Sequence, residues 1–232
     1  MPFFDRRDAG QRLARAMEHY ANRDAVVLAL PRGGVPVAAE VAAALGAPLD
    51  LILVRKISVP FEPELAMGAI ADARPPVVVR NENIVRLVGV SEHEFRTACA
   101  AAASELERRR RLYLGDRTPL PLEGRVAIIV DDGIATGATT RAAIRAARRR
   151  SPASVVLAVP VAPPELLADL RREADDVVCL ETPMHLGAIG NVYKNFAQVP
   201  DHEVIEALVQ RALRNGGPRV ADPDRSSTEK RP

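Results

Sequence analysis

The sequence predicts an α/β fold: a parallel sheet of about five strands flanked by helices. Three observations predict it. Short apolar, β-branched runs alternate along the chain with stretches of helical periodicity. Two of those runs end abruptly in glycine-bearing turns that lead straight into a helix. Two adjacent acids, Asp131 and Asp132, stand directly after the most apolar of the runs, where an open parallel sheet presents its ligand edge.

The elements follow in order. Residues 7–20 carry a helical pattern with Leu13, Ala16, Met17 and Tyr20 on one face. Residues 25–30 form the first strand, 31–34 a sharp turn, and 35–45 a helix stopped by Gly46. Residues 49–54 give a second strand closed by Arg55-Lys56, and 57–65 read as a loop. Between 65 and 81, two apolar segments flank Asp72-Ala-Arg-Pro-Pro76 and suggest an antiparallel hairpin. Ser91 with Glu94 is a capping box opening a long helix to Tyr113, whose stripe is Phe95, Ala98, Ala102, Leu106 and Tyr113. After the diacid comes a helix to about 150, then a strand at 155–161. Pro163-Pro164 starts a helix to about 173, followed by a strand at 176–180 and a last helix at 202–213. From Asn215 the chain is polar and rich in Pro, Gly and Ser, which predicts a disordered tail over 215–232.

Composition narrows the function classes. Lys+Arg of 32 against Asp+Glu of 30 leaves a net charge of +2, which argues against a bulk nucleic-acid binder. The arginine runs at 108–111 and 148–150 read as solvated helix faces, the first paired with Glu105 and Glu107. No apolar run reaches the length of a membrane span, and the N-terminus lacks the apolar core of a signal peptide. A cytoplasmic protein without membrane partners is the expectation. The four histidines show no metal-ligand spacing, and P-loop, Gly-x-Gly-x-x-Gly and Gly-x-Ser-x-Gly patterns are absent.

The chemistry concentrates in Val126-Ala-Ile-Ile-Val-Asp-Asp-Gly-Ile-Ala-Thr-Gly-Ala-Thr-Thr140. Four of the five residues before Asp131 are β-branched, as a strand covered on both faces requires. The Thr-Gly-Ala-Thr turn then brings backbone N–H groups and hydroxyls to a helix N-terminus, a ready anion site. Carboxylates beside an anion cradle suit a ligand with both a diol and a phosphate, such as a sugar phosphate. Leu30-Pro-Arg-Gly-Gly34 repeats the strand–turn–helix logic. Its glycines allow close backbone approach, and Arg32 suits a phosphate contact.

These residues resemble the signature of the type I phosphoribosyltransferases, which bind 5-phosphoribosyl-1-pyrophosphate (PRPP). The resemblance spans nearly the whole folded part, from the first strand to the hood. It implies that Asp131 and Asp132 hold the ribose hydroxyls and that Ala135, Thr136, Gly137, Ala138 and Thr139 wrap the 5-phosphate. It also implies that Arg32, Gly33 and Gly34 hold the pyrophosphate, with a strained peptide bond near Arg32-Gly33. Arg55 and Lys56 resemble a catalytic pair that faces the pyrophosphate, residues 57–65 and the hairpin after them a mobile closing loop, and Glu64 a helper for magnesium-bound pyrophosphate.

On the same resemblance, residues 1–214 form the phosphoribosyltransferase domain, with a small hood built from about 1–22 and 181–214. Tyr193 and Phe196 are rare aromatics in this chain; either one of them stacks on the acceptor there, with Lys194 beside it, or both pack the hood onto the core. Mg²⁺ would arrive bound to the substrate, with no direct protein ligand. The implied reaction transfers phosphoribosyl from PRPP to a nitrogen acceptor, a nucleobase for example, and releases pyrophosphate. The partners are then PRPP and a small acceptor, with neither nucleic acid nor membrane, and a homo-oligomer is compatible with the sequence. Two other readings stay open: a regulator that binds PRPP or a nucleotide without turnover, and an RNA-binding regulator on the same scaffold.

Overall fold

Alternate residues of the central strands face opposite layers, and that period of two organises the molecule. The structure is a computed structural model and describes residues 2–214, apart from the side chains of Glu64, Ala212 and Arg214. The expected tail at 215–232 lies outside the described residues.

Strands β1 (Ala25–Ala29), β2 (Leu49–Leu51), β6 (Val126–Val130), β7 (Ser154–Val161) and β8 (Asp176–Glu181) form one sheet in the order β2-β1-β6-β7-β8. Every neighbouring pair is parallel. Val27, Ala29, Ile128, Val130, Val156 and Ala158 bury into the layer of helices α1 (Arg6–Ala16), α2 (Gly34–Leu45) and α7 (Asp201–Arg214). Val26, Leu28, Ala127, Ile129, Leu157 and Val159 bury into the opposite layer with α5 (Ala138–Arg148) and α6 (Pro164–Leu170). All these strand residues are essentially inaccessible, so both sheet faces are covered.

A second sheet of three antiparallel strands, β3 (Val54–Val59), β4 (Glu62–Ala71) and β5 (Val77–Arg80), leans on α5 and on the long helix α4 (Glu92–Leu114). The hairpin expected between 65 and 81 is β4–β5. The loop expected at 57–65 is corrected: Ile57 and Val59 are buried at alternate positions, and β3 pairs with β4 through register shifts around Ser58. Pro60 falls in the turn between the strands, and Pro63 lies in β4, close to those irregularities. A short helix, α3 (Glu82–Val88), was not expected. The Asn81 side chain caps it by accepting from the Ile84 N–H.

The capping box of α4 forms as expected, and Phe95, Ala102, Leu106 and Tyr113 bury its stripe. The first helix ends at Ala16, and Glu18–Tyr20 makes one 3₁₀ turn. Tyr20 donates to Asp176 Oδ2 at 2.5 Å, tying that turn to β8.

The two chain ends meet over the sheet's carboxyl edge. Phe3 N–H donates to the Val192 carbonyl at 2.7 Å, and Lys194 N–H returns to the Phe3 carbonyl at 2.9 Å. This strap is narrower than the hood expected from 1–22 and 181–214, because α1 and α7 serve mainly to cover a sheet face. Among the described residues, no helix is long and apolar enough to cross a membrane.

Candidate functional site

The diacid sits where β6 ends. The Asp132 N–H donates to Asp131 Oδ1 at 2.9 Å, so the first carboxylate caps the turn it stands on. Asp132 is only 8% exposed, and its Oδ2 accepts from Arg6 Nε at 2.7 Å. Burial, and then the charge of Asp132, pushes the Asp131 carboxyl well above the ordinary carboxylate range. Burial also raises the Asp132 carboxyl, and the Arg6 guanidinium offsets only part of that rise. Sequence reasoning missed Arg6. Its place is set by the docking of the chain start on residues 192–195, which leaves no local signal.

The turn after β1 closes directly on these acids. A Cβ built on Gly33 would lie 2.1 Å from Asp132 Oδ2, and one on Gly34 would lie 2.7 Å from the Val130 carbonyl oxygen and 2.9 Å from Asp131 Cα. Only glycine lets the two loops touch. The cis peptide bond of this turn joins Pro31 to Arg32, one bond before the expected position. Arg32 Nη1 stands 3.6 Å from Asp201 Oδ1 at the start of α7, and the same oxygen accepts from the Tyr113 hydroxyl at 2.5 Å. Tyr113, then Arg32, Arg108 and Arg109, hold the Asp201 carboxyl below the usual carboxylate range. Part of the arginine run of α4 therefore lies near Arg32, although far from it in sequence. Arg110 instead acts on Asp72.

The third loop, Gly133 to Gly137, leads into α5. Gly137 takes a left-handed conformation, with φ of 76°, as the N-cap residue, and no side chain caps the helix. Arg141 N–H reaches the Gly137 carbonyl, so the N–H groups ahead of it stand at an uncapped helix start. Ala135 and Thr136 are exposed, and Ala138 and Thr139 are half-buried. Thr140 Oγ1 is buried without a hydrogen-bond partner among the described residues.

Arg55 and Lys56 are exposed and lie inside β3, not at the end of β2. Ile52 N–H donates to the Ala29 carbonyl, so the chain leaves the sheet edge only a few residues before them, within about 10 Å of extended backbone. Among the described residues, neither has an ion-pair partner. The side chain of Glu64 lies outside the described residues.

Of the two readings of the hood aromatics, the packing one describes Tyr193. Tyr193 is buried, and its hydroxyl donates to the Asp132 carbonyl at 2.6 Å. Its ring packs on Phe3 and stacks on Phe196 at 4.9 Å. The Arg6 guanidinium lies 3.8 Å from the Phe196 ring centroid. Tyr193 and Arg6 thus engage Phe196, which also rests on Gly190. Both rings fasten the strap to the diacid turn, and Phe196 keeps about a third of its surface exposed. Lys194 is exposed.

The sequence matches the family model of the phosphoribosyl transferase domain over residues 7–192. The chain belongs to the phosphoribosyltransferase family. "Putative phosphoribosyl transferase Rv0571c" of Mycobacterium tuberculosis (strain ATCC 25618 / H37Rv) is 47% identical over 213 residues, 92% of this chain and 47% of that protein. The chain spans about half the length of the curated relatives it matches. The crystal structure of TT1426 from Thermus thermophilus superimposes with a TM-score of 0.72 at 38% identity, covering 90% of this chain and 99% of that one. The phosphoribosyltransferase family thus accounts for the parallel five-stranded sheet and for the three loops at its carboxyl edge.

Proposed function

We propose that the chain binds PRPP at this edge and transfers its 5-phosphoribosyl group to a nitrogen of a small acceptor, a nucleobase for example, releasing pyrophosphate. The observation that carries the reading is the direct contact of the Gly33-Gly34 turn with Asp131 and Asp132. That contact supports reading the two turns as parts of one site, together with the uncapped start of α5 that follows the diacid. Asp131 and Asp132 accept the ribose hydroxyls, and N–H groups of Ala135 to Thr139 receive the 5-phosphate. Gly33 and Gly34 admit the pyrophosphate closely, and Arg32 contacts it. Arg55 and Lys56, exposed and unpaired among the described residues, offset the charge that builds as it departs.

In the reaction the bond from the anomeric carbon to the pyrophosphate oxygen breaks, a bond to the acceptor nitrogen forms, and that nitrogen loses a proton. The anomeric carbon becomes oxocarbenium-like in between, and nearby carboxylate charge favours it. Magnesium fits the site as an ion carried on the substrate's oxygens, with the two carboxylates left for the ribose hydroxyls and no direct protein ligand. When bound with the substrate, it would neutralise charge on the leaving group.

Tyr193 is held at the diacid turn and not free to receive an acceptor, which supports a second reading, a PRPP- or nucleotide-binding regulator without turnover. One experiment separates the two. PRPP with Mg²⁺ should raise the melting temperature by mass action, and a panel of bases should then release pyrophosphate with at least one acceptor. Stabilisation without release favours the regulator. No shift at millimolar PRPP, with no heat in calorimetry, would sink both.

Arg32 supplies a further prediction. Arg32→Gln should weaken PRPP binding about ten- to a hundredfold through the loss of one charge-assisted contact. Arg110→Gln, on the Asp72 side of α4, should leave it unchanged. Equal losses in titration calorimetry would point to a diffuse field and not to a contact.

A further inference from the structure

Arg6 does three things at once. It opens α1, donates through Nε to Asp132 Oδ2 at 2.7 Å, and donates through Nη1 to the Ala197 carbonyl at 2.7 Å. Its guanidinium plane also lies over Phe196 at 3.8 Å. The side chains of Arg6 and Asp132 are only 12% and 11% exposed. Phe196 and Ala197 belong to the strap, which Phe3 pairs to the chain start.

We propose that Arg6 is a positioning residue for the ribose-binding site. It keeps the buried Asp132 carboxylate charged and fixed in place, and it locks the strap to that carboxylate. The proposal rests on the phosphoribosyl reading, in which Asp132 accepts a ribose hydroxyl.

The groups around Asp132 explain why a cation is needed. Asp131 faces it from the same turn, Tyr193 reaches its carbonyl from the strap, and Gly33 closes on it from the β1–α2 turn. Arg6, from α1, is the cation bonded to it, because Arg32 is turned toward Asp201. A carboxylate buried beside another acid takes up a proton unless a cation compensates it. A protonated carboxyl is a poorer acceptor for a hydroxyl. Lysine could keep the charge but not the combination of planar stack and two directed bonds.

The test follows the carboxyl carbon of Asp132 by NMR, and Mg²⁺–PRPP affinity, as functions of pH in the unaltered chain, Arg6→Gln and Arg6→Lys. In the unaltered chain Asp132 should lose its proton at lower pH than Asp131. In Arg6→Gln the Asp132 transition should move up by about one pH unit or more. The acid limb of PRPP affinity should move with it, so that affinity on that limb falls about tenfold. Arg6→Lys should recover most of that displacement.

The reverse order of titration in the unaltered chain would overturn the proposal, even if the glutamine variant fails to fold. An unmoved Asp132 transition in Arg6→Gln would overturn it as well. If the transition moves but the unaltered chain binds no PRPP at any pH, the phosphoribosyl reading fails while the Arg6 clasp on Asp132 stands.

Discussion

Gly33→Ala should leave the protein folded and reduce its PRPP affinity about ten- to a hundredfold, whereas Gly34→Ala should damage the fold itself. Both substitutions add one methyl group, and the difference lies in what it meets. At Gly33 the methyl carbon would stand 2.1 Å from Asp132 Oδ2 and 2.6 Å from its Cγ, so a side chain must swing away. That movement breaks the Arg6 pair and removes the carboxylate from the ribose position. A charge-assisted hydrogen bond is worth about 1.5–3 kcal/mol, so losing the one to the ribose costs about ten- to a hundredfold in affinity. At Gly34 the methyl would meet the Val130 carbonyl oxygen and Asp131 Cα, both backbone of the central strand and its end. Backbone in the middle of a sheet gives little, and overpacking of this kind costs about 1–3 kcal/mol. Melting should fall by roughly 2–12 °C in a domain of this size. Thermal melts paired with calorimetric titration separate the two outcomes. Unaltered PRPP affinity in Gly33→Ala would show that the position of Asp132 does not matter to the ligand.

The strand that carries the diacid was legible because its chemistry is local. A β-branched run, two acids and a small-residue turn leave few alternatives, and the same holds for the Leu30–Gly34 turn. Strand β3 was obscured by Ser58, Pro60 and Pro63, which read as loop when counted singly. In the fold, Pro60 serves the turn and the register shifts around Ser58 absorb the irregularity, while Ile57 and Val59 keep the period of two. Helix α3 is too short for a periodic signal, and only Asn81 marked its start.

Partners set by long-range docking were illegible. Arg6 meets an acid 126 positions away, and Arg32 meets Asp201 only because α7 returns to cover the face that α2 occupies. For the same reason the run at 108–111 read only as a solvated helix face, although Arg108 and Arg109 act on Asp201 beside Arg32. The rare aromatics at 193–196 left a ligand platform and hood packing both open. In the folded chain those rings go where the strap must be fastened, with a hydroxyl placed on the Asp132 carbonyl.

Asp131→Asn should stabilise the protein at neutral pH while weakening PRPP binding about ten- to a hundredfold, the mark of an acid kept for a ligand and not for the fold. Its carboxyl is raised by burial and by the charge of Asp132, whereas in the unfolded chain it titrates near 3.9. Between those two values the folded state holds a proton that the unfolded state has lost. Stability is therefore fully present below the unfolded value and falls as pH rises toward the folded one, by up to about 1.4 kcal/mol per pH unit for one proton. Asparagine removes that slope. Its carbonyl still accepts the Asp132 N–H, and its amide can donate to the Asp132 carboxylate, so the turn keeps its cap. Each kcal/mol recovered should raise the melting temperature by about 2–4 °C. The measurement is melting temperature against pH, from about 4 upward, for both proteins without ligand. The unaltered chain should lose stability relative to the variant as pH climbs. Parallel curves would mean that Asp131 is already charged and solvated in the free protein, and the cost assigned to the diacid would then have to fall on Asp132 and its clasp with Arg6.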